Sequence, residues 1–255
     1  MTWRNLPRLG AVLTIVLQIC WPLTHGDLRT ELTIVTVMIF AATSVSHAWI
    51  SRGARWALQY LITTFVFAVI VEAVGVATGL PFGKYSYTAS LGPDALGVPL
   101  IIPLAWVMAT YPALLVARRL GSNRLTVVLI GAFALTSWDL FLDPQMVSAD
   151  YWTWANSDVV LLGVPGIPVT NYLGWFAASL VLMLALTPLS RKPAAEGVPA
   201  ALWTWTWVGG VIANACFFGR LPVALWGGIA MGIVTVPYLL ALNRERMLTC
   251  PEVTT

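Results

Sequence analysis

The sequence predicts an all-α, polytopic transmembrane helix bundle of about eight spans, and two observations support this fold class. Of the 255 residues, 58% are hydrophobic and only 10% are charged, whereas a soluble domain carries about 25% charged residues. The mean hydropathy is +0.81, and the apolar residues form runs long enough to cross a hydrocarbon core of about 30 Å. We therefore interpret residues 1–255 as a single integral membrane domain.

The predicted spans follow from these apolar runs in chain order. They cover residues 9–25, 31–50, 57–77, 98–117, 125–142, 170–189, 202–219 and 222–242. The last two spans are separated by only two residues, so one of them is expected to tilt or to re-enter the membrane. The connecting segments 78–97 and 143–169 are longer than turns and rich in Gly, Pro and aromatic residues. We expect both to be non-cytoplasmic loops that cap a site.

The distribution of basic residues predicts the orientation. With eight spans, three of the 14 Lys and Arg residues (Arg29, Lys84 and Arg220) fall on one side and the other 11 on the opposite side. The positive-inside rule then places both termini in the cytoplasm of a multi-pass protein of the cell membrane. No basic run suits a nucleic acid, so nucleic acid is not an expected partner.

Most acidic residues are predicted to lie toward the non-cytoplasmic side, and Glu72 falls well inside the third span. An ionisable group at that depth is energetically costly and is by default a candidate for function. Gly75 and Gly79 follow near its face, a pattern that allows close helix contact. The other interpretation is a protonated or hydrogen-bonded structural glutamate.

Asp139 and Asp143 form a second acidic motif in the fifth span. Their i, i+4 spacing places both carboxyl groups on one face of a helix. Two carboxylates this close in a medium of low polarity cannot both ionise cheaply, so one is expected to keep its proton beside a charged partner. The alternative is that Asp143 ends the helix before Pro144 and is interfacial. Together with Glu72, this pair supplies the candidate catalytic residues.

Further polar and aromatic residues are candidates for substrate binding. They are Lys84, Tyr85, Tyr87, Trp106, Trp138, Trp152, Trp154, Asn171, Trp175 and Asn214. Aromatic faces can line a groove for a long apolar ligand or stabilise a cation. These residues also have structural interpretations. The tryptophans could form an interfacial aromatic belt, the asparagines could make helix–helix hydrogen bonds, and the lysine could extend its charged end to the membrane surface.

Several familiar motifs do not occur in the sequence. It contains no GxGxxG, P-loop, HExxH or GxSxG motif and no paired aspartate-rich diphosphate motif. Redox cofactors and nucleotides are therefore disfavoured, and no metal site is predicted. The expected reactants are a membrane-dissolved substrate and water in a lipid bilayer.

Three ordered segments carry a resemblance to a known family. They are GLPFGKYSYTASLGPDALGVPLIIPLAWVM (Gly79–Met108), WDLFLDPQMVSADYWTW (Trp138–Trp154) and GVPGIPVTNYLGW (Gly163–Trp175). The region of about residues 70–180 resembles the CruF-type carotenoid biosynthesis family, the membrane carotenoid 1,2-hydratases that include bisanhydrobacterioruberin hydratase-like proteins. Its matching positions are Gly79, Pro81, Phe82, Gly83, Tyr85, Tyr87, Pro103, Trp106, Asp139, Asp143, Pro144, Trp152, Trp154, Asn171 and Trp175.

The resemblance implies a hydro-lyase reaction on a carotenoid such as lycopene. Water would add to the terminal isoprenoid double bond of an acyclic end group and give a tertiary alcohol. This chemistry needs a desolvated acid, a pocket that stabilises positive charge and one controlled water molecule, but no cofactor. Other carotenoid enzymes are expected as partners.

Three alternatives stay open from the sequence. A carotenoid cyclase shares the protonation step but ends in ring closure and loss of a proton. An auxiliary subunit of carotenoid biosynthesis would need no chemistry of its own. A transporter of a small or lipophilic solute would also use buried acids and kinked helices, although the two halves of the chain show no internal repeat.

Overall fold

The computed structural model describes residues 3–191 and 194–249, and it confirms an all-α polytopic bundle. Within those ranges there are eight α-helices, as predicted. They are α1 (Leu6–Cys20), α2 (Gly26–Arg52), α3 (Ala54–Thr78), α4 (Ile101–Leu120), α5 (Arg124–Val147), α6 (Val169–Leu186), α7 (Gly197–Ile212) and α8 (Leu221–Thr249). By length and composition, seven helical stretches in this part of the chain can cross a membrane.

Helix α7 is the short member of the bundle. It has 16 residues and continues into a π-helical turn, Ala213–Phe217. Gly219 then adopts a positive φ of 62° before α8 begins. Single π-helical turns of this kind occur frequently at functional sites.

Helix α3 illustrates why these sequences form membrane helices. One face carries exposed aliphatic side chains at every fourth position: Leu58, Ile62, Val66, Ile70 and Val74. The opposite face is buried and contains Tyr60, Thr64, Ala68, Glu72 and Gly75. Because residues four apart share a helix face, the first stripe suits contact with lipid and the second packs into the bundle. This pattern turns Glu72 inward.

Helix α4 lies at the centre of the bundle. Almost every residue from Ile101 to Ala117 is buried, and the helix packs against α2, α3, α5, α7 and α8. Trp106 is therefore enclosed on all sides, with 1% of its surface exposed. A central helix that is apolar all round is typical of a membrane bundle.

Helix α5 extends farther than the sequence predicts. The predicted span ends at residue 142, but the helix continues through Pro144 to Val147. Arg220 supports this last turn, because its Nη1 donates to the Pro144 carbonyl at 2.7 Å and its Nη2 donates to Ser148 Oγ at 2.8 Å. A cation at a helix C-terminus satisfies free carbonyl groups and the helix dipole. Asp143 consequently lies within a helix rather than at its end.

The two long connecting segments contain short strands that were not predicted. Strand β1 (Tyr85–Tyr87) pairs antiparallel with β4 (Trp152–Trp154), with Tyr85 opposite Trp154 and Tyr87 opposite Trp152. Strands β2 (Asp94–Ala95) and β3 (Val98–Pro99) form a separate small hairpin. The β1–β4 ribbon thus joins the segment after α3 to the segment after α5.

Candidate active site

Glu72 is the centre of the first cluster of polar side chains. It is 4% exposed and accepts three hydrogen bonds. Tyr85 and Tyr87 donate their hydroxyls to Oε2 at 2.6 and 2.7 Å, and Trp106 Nε1 donates to Oε1 at 2.9 Å. Helix α3 provides the carboxyl group, β1 the two phenols and α4 the indole. The three donors favour the ionised form of this carboxyl group, whereas its burial favours the protonated form.

The two phenols are held as donors. Burial, and then the neighbouring Glu72 carboxyl, raise the pKa of Tyr85 and the pKa of Tyr87 well above the ordinary value for tyrosine. Both hydroxyls therefore keep their protons at any physiological pH. Gly75 provides the necessary space, since a Cβ at this position would lie 2.6 Å from the Tyr85 hydroxyl.

Asp139 and Asp143 form the second cluster, on the inward face of α5. Asn171 of α6 donates its amide Nδ2 to Asp139 Oδ2 at 3.1 Å and also to Asp143 Oδ2. Trp152 Nε1 of β4 donates to Asp143 Oδ1 at 3.1 Å. The shared amide places the two carboxyl groups side by side. A single amide thus bridges two adjacent buried acids.

The two acids of this pair differ in their surroundings. Asp139 has no exposed surface, and its Oδ1 atom has no hydrogen-bond partner among the described residues. Asp143 has two donors and faces an internal cavity. Asp143 is therefore the member of the pair that can contact a ligand, and Asp139 lies behind it.

Aromatic rings surround both clusters. Trp106 and Trp175 are stacked, with ring centroids 4.2 Å apart and planes 6° apart, and Trp138 meets Trp175 edge to face at 5.9 Å. On the ribbon, the Tyr87 and Trp152 rings lie 5.6 Å apart in a second edge-to-face contact. The faces of such rings carry negative charge density and attract cations.

A cavity of about 360 Å³ connects the two clusters. Glu72, Asp143 and Asn171 all line it. The other candidates in its wall are Tyr85, Tyr87, Trp106, Trp138, Trp152, Trp154 and Trp175. The structure thus brings most of the sequence-predicted residues into one predominantly apolar enclosure.

Two candidates lie elsewhere. Lys84 is exposed and directly precedes strand β1. Asn214 is buried in the π-helical turn, where its Nδ2 donates to the Gly210 carbonyl at 2.9 Å. Neither side chain lines the cavity.

Several lining residues were not singled out from the sequence. Helix α1 contributes Gln18 and Ile19, α5 contributes Phe141 and Gln145, and α7 contributes Trp205. Gln18 carried a usable signal, since a carboxamide in an apolar span is uncommon, whereas Gln145 lies beyond the predicted end of the fifth span. No group of three or more His, Cys, Asp and Glu side chains is placed to hold a metal ion in the described ranges.

The segment that follows α3 packs closely against α6 at Gly174. A Cβ at Gly174 would lie 2.6 Å from the Pro81 carbonyl oxygen and 3.0 Å from the Phe82 ring. Phe82 in turn packs against Trp175, with ring centroids 6.1 Å apart. The absence of a side chain at Gly174 therefore lets this segment close over the cavity.

Comparisons with known proteins identify the family of this chain. Residues 33–239 match the model of a family described as carotenoid biosynthesis protein. A bisanhydrobacterioruberin hydratase from Haloarcula japonica is 33% identical over 129 residues, which are 49% of this chain and 42% of the relative. The chain thus matches less than half of that relative's length. No solved structure matches significantly. Because the family match spans most of its residues, this multi-pass membrane protein belongs to the carotenoid biosynthesis protein family.

Proposed function

We propose that the protein is a carotenoid hydratase that adds water to the terminal double bond of an acyclic carotenoid end group. One observation carries this proposal: Asp143, bridged to Asp139 by Asn171, faces the same aromatic cavity as Glu72. The family match and the hydratase relative support it. Side chains and water supply the chemistry in this scheme.

The first step is protonation of the alkene. The Asp139–Asp143 pair holds one proton, because two adjacent buried carboxylates repel each other. Asp143 donates this proton to the less substituted alkene carbon, so that its O–H bond breaks as a C–H bond forms. The π electrons of the double bond form the new bond and leave a tertiary carbocation.

The second step is stabilisation of the cation. The Glu72 carboxylate, held by three donors, provides a fixed negative charge in an enclosure that excludes bulk water. The faces of Trp106 and Trp175 add their negative charge density. Since these groups are already oriented before the charge forms, little reorganisation is required during the reaction.

The third step is capture by water. A water oxygen forms a bond to the cationic carbon and gives a tertiary alcohol. The excess proton returns to the Asp139–Asp143 pair, which has lost its own proton in the first step. The pair regains its initial protonation state, and the sum of the steps is the addition of one water molecule.

The location suits a long substrate in the cell membrane. A carotenoid is long enough to span a core of about 30 Å, so its ends reach the interfaces where water is present. In this proposal segments 78–97 and 143–169 lie on the non-cytoplasmic side, and their β1–β4 ribbon covers the cavity. The ribbon limits access of bulk water to the cation.

The test is expression in a lycopene-producing host, followed by mass analysis of the pigments. Hydration increases the mass by one water per reacted end, and growth in oxygen-labelled water places the label in the product alcohol. An isomer of unchanged mass would identify a cyclase instead. Unaltered pigment from correctly inserted protein would overturn the proposal and favour a transport or auxiliary role.

A further inference from the structure

The cavity is too small for a whole carotenoid. An apolar cavity of about 150 Å³ holds one benzene ring, so each carbon requires about 25 Å³. The cavity of about 360 Å³ therefore holds on the order of 14 carbon atoms. That is about a third of a chain of about forty carbons, which matches one end group and a short part of the polyene. The remainder must leave the protein through an opening.

The exposed residues of the cavity wall locate this opening. Three lining side chains have about half of their surface exposed: Ile19 (49%), Ile212 (46%) and Phe217 (54%). Ile19 lies near the end of α1, Ile212 ends α7, and Phe217 ends the π-helical turn. The lining residues from α2 to α6 are buried or half-buried. The part of the cavity wall formed by α1 and α7, which pack against each other, is thus the part that reaches the apolar outer surface.

The wall of α7 beside this opening contains two glycines next to the bulkier Trp205 and Ile212. Gly209 and Gly210 both line the cavity, and a Cβ at Gly210 would lie 3.0 Å from the Phe141 ring. The Phe141 ring also occupies the space above Gly227 of α8, where a Cβ would lie 2.6 Å away. The glycines therefore let the Phe141 ring, which also lines the cavity, pack closely against both α7 and α8.

We propose that the opening between α1 and α7 is the portal through which one carotenoid end enters sideways from the bilayer. This inference rests on the proposed function and adds its substrate route. The opening lies among exposed aliphatic side chains that suit lipid, so an apolar polyene crosses it without entering water. Since one end fills the cavity, the two ends of a symmetric carotenoid react in separate binding events.

Closing the portal tests the route. Ile19→Trp and Ile212→Trp, singly and combined, place a large ring in the opening, and tryptophan is well tolerated near a membrane interface. Ile229→Trp on α8 is the matched control, because Ile229 is 64% exposed and does not line the cavity. Carotenoid that co-purifies with the protein and the hydration rate in carotenoid-containing liposomes are both measured.

We expect the combined variant to lose about tenfold or more in bound pigment and in rate, because only molecules with an open portal bind. The Ile229→Trp control should retain normal pigment binding and a normal hydration rate. Normal binding and turnover by the combined variant would overturn the portal while leaving the hydratase proposal intact. Binding by the wild type without hydration would overturn the hydratase proposal alone. A wild type that neither binds nor hydrates carotenoid would overturn both.

A time course with the wild-type protein tests, independently of any variant, whether the two ends of a carotenoid react in separate binding events. Singly hydrated carotenoid should appear first, and an excess of competing carotenoid added at that point should suppress the doubly hydrated product. Doubly hydrated product that forms without release of the singly hydrated species would contradict separate binding events.

Discussion

Asp143→Asn is the most informative single change at the site. The substitution keeps the size of the side chain, and its amide oxygen can still accept from Trp152 Nε1, which lies 3.1 Å from Asp143 Oδ1. The bond from Asn171 is lost unless that amide turns, at a cost of about 1–3 kcal/mol. That cost is below the stability of a folded domain, about 5–15 kcal/mol. The bundle should therefore fold and insert normally.

The effect on catalysis should be much larger. A general acid contributes about 10²–10⁴-fold to a rate, which corresponds to about 3–5 kcal/mol of activation free energy. We expect Asp143→Asn to reduce the hydration rate by this factor, because an amide does not protonate an alkene. Asp139→Asn should also abolish most conversion, since the remaining carboxyl then lacks the partner that holds and receives the proton.

The assay compares purified variants in carotenoid-containing liposomes, with hydrated product quantified by mass and folded protein by size-exclusion chromatography. Asp150→Asn is the matched control: Asp150 is exposed and has a positive φ of 56°, a conformation that asparagine tolerates well. Wild-type rates for both Asp139→Asn and Asp143→Asn would refute the assignment of the acid pair.

Two further changes test the supporting structure. Tyr87→Phe removes the 2.7 Å hydrogen bond to Glu72. Because a hydrogen bond to a charged group contributes about 1.5–3 kcal/mol, the hydration rate in liposomes should fall about 10- to 100-fold. An unchanged rate would argue against an ionised Glu72. Gly174→Ala places a Cβ 2.6 Å from the Pro81 carbonyl oxygen, so it should cost about 1–3 kcal/mol and lower the melting temperature in detergent. Gly197→Ala is its control, since nothing lies within 4 Å of that position, and equal melting temperatures for the two variants would contradict the close contact.

The helices could be predicted from the sequence because each apolar run carries its own signal. The end of α5 could not, because Pro144 resembles a terminator and its support comes from Arg220, a residue 76 positions away. The β1–β4 ribbon was missed for a similar reason. Each strand has only three residues, and its partner lies more than 60 positions away. The alternation in YSY and WTW is too short to distinguish a strand from an aromatic loop.

The acidic residues of the candidate site could be predicted from the sequence, but the residues that hydrogen-bond to them could not. Buried carboxyl groups in apolar spans are conspicuous, so Glu72, Asp139 and Asp143 could be identified from their positions alone. The bridging role of Asn171 depends on how α6 packs against α5, and nothing in the local sequence specifies that contact. Asn214 has the same local character, yet it bonds within its own helix.

The β1–β4 ribbon donates hydrogen bonds to both acidic clusters of the candidate site. Its first strand supplies two of the donors to Glu72, and its second strand supplies the indole that holds Asp143. Any movement of the ribbon away from the cavity would remove hydrogen-bond donors from Glu72 and from Asp143 at the same time. In the proposed mechanism, the carboxyl group that stabilises charge and the acid pair that donates the proton are therefore assembled together, so a molecule with the ribbon displaced would not form the carbocation.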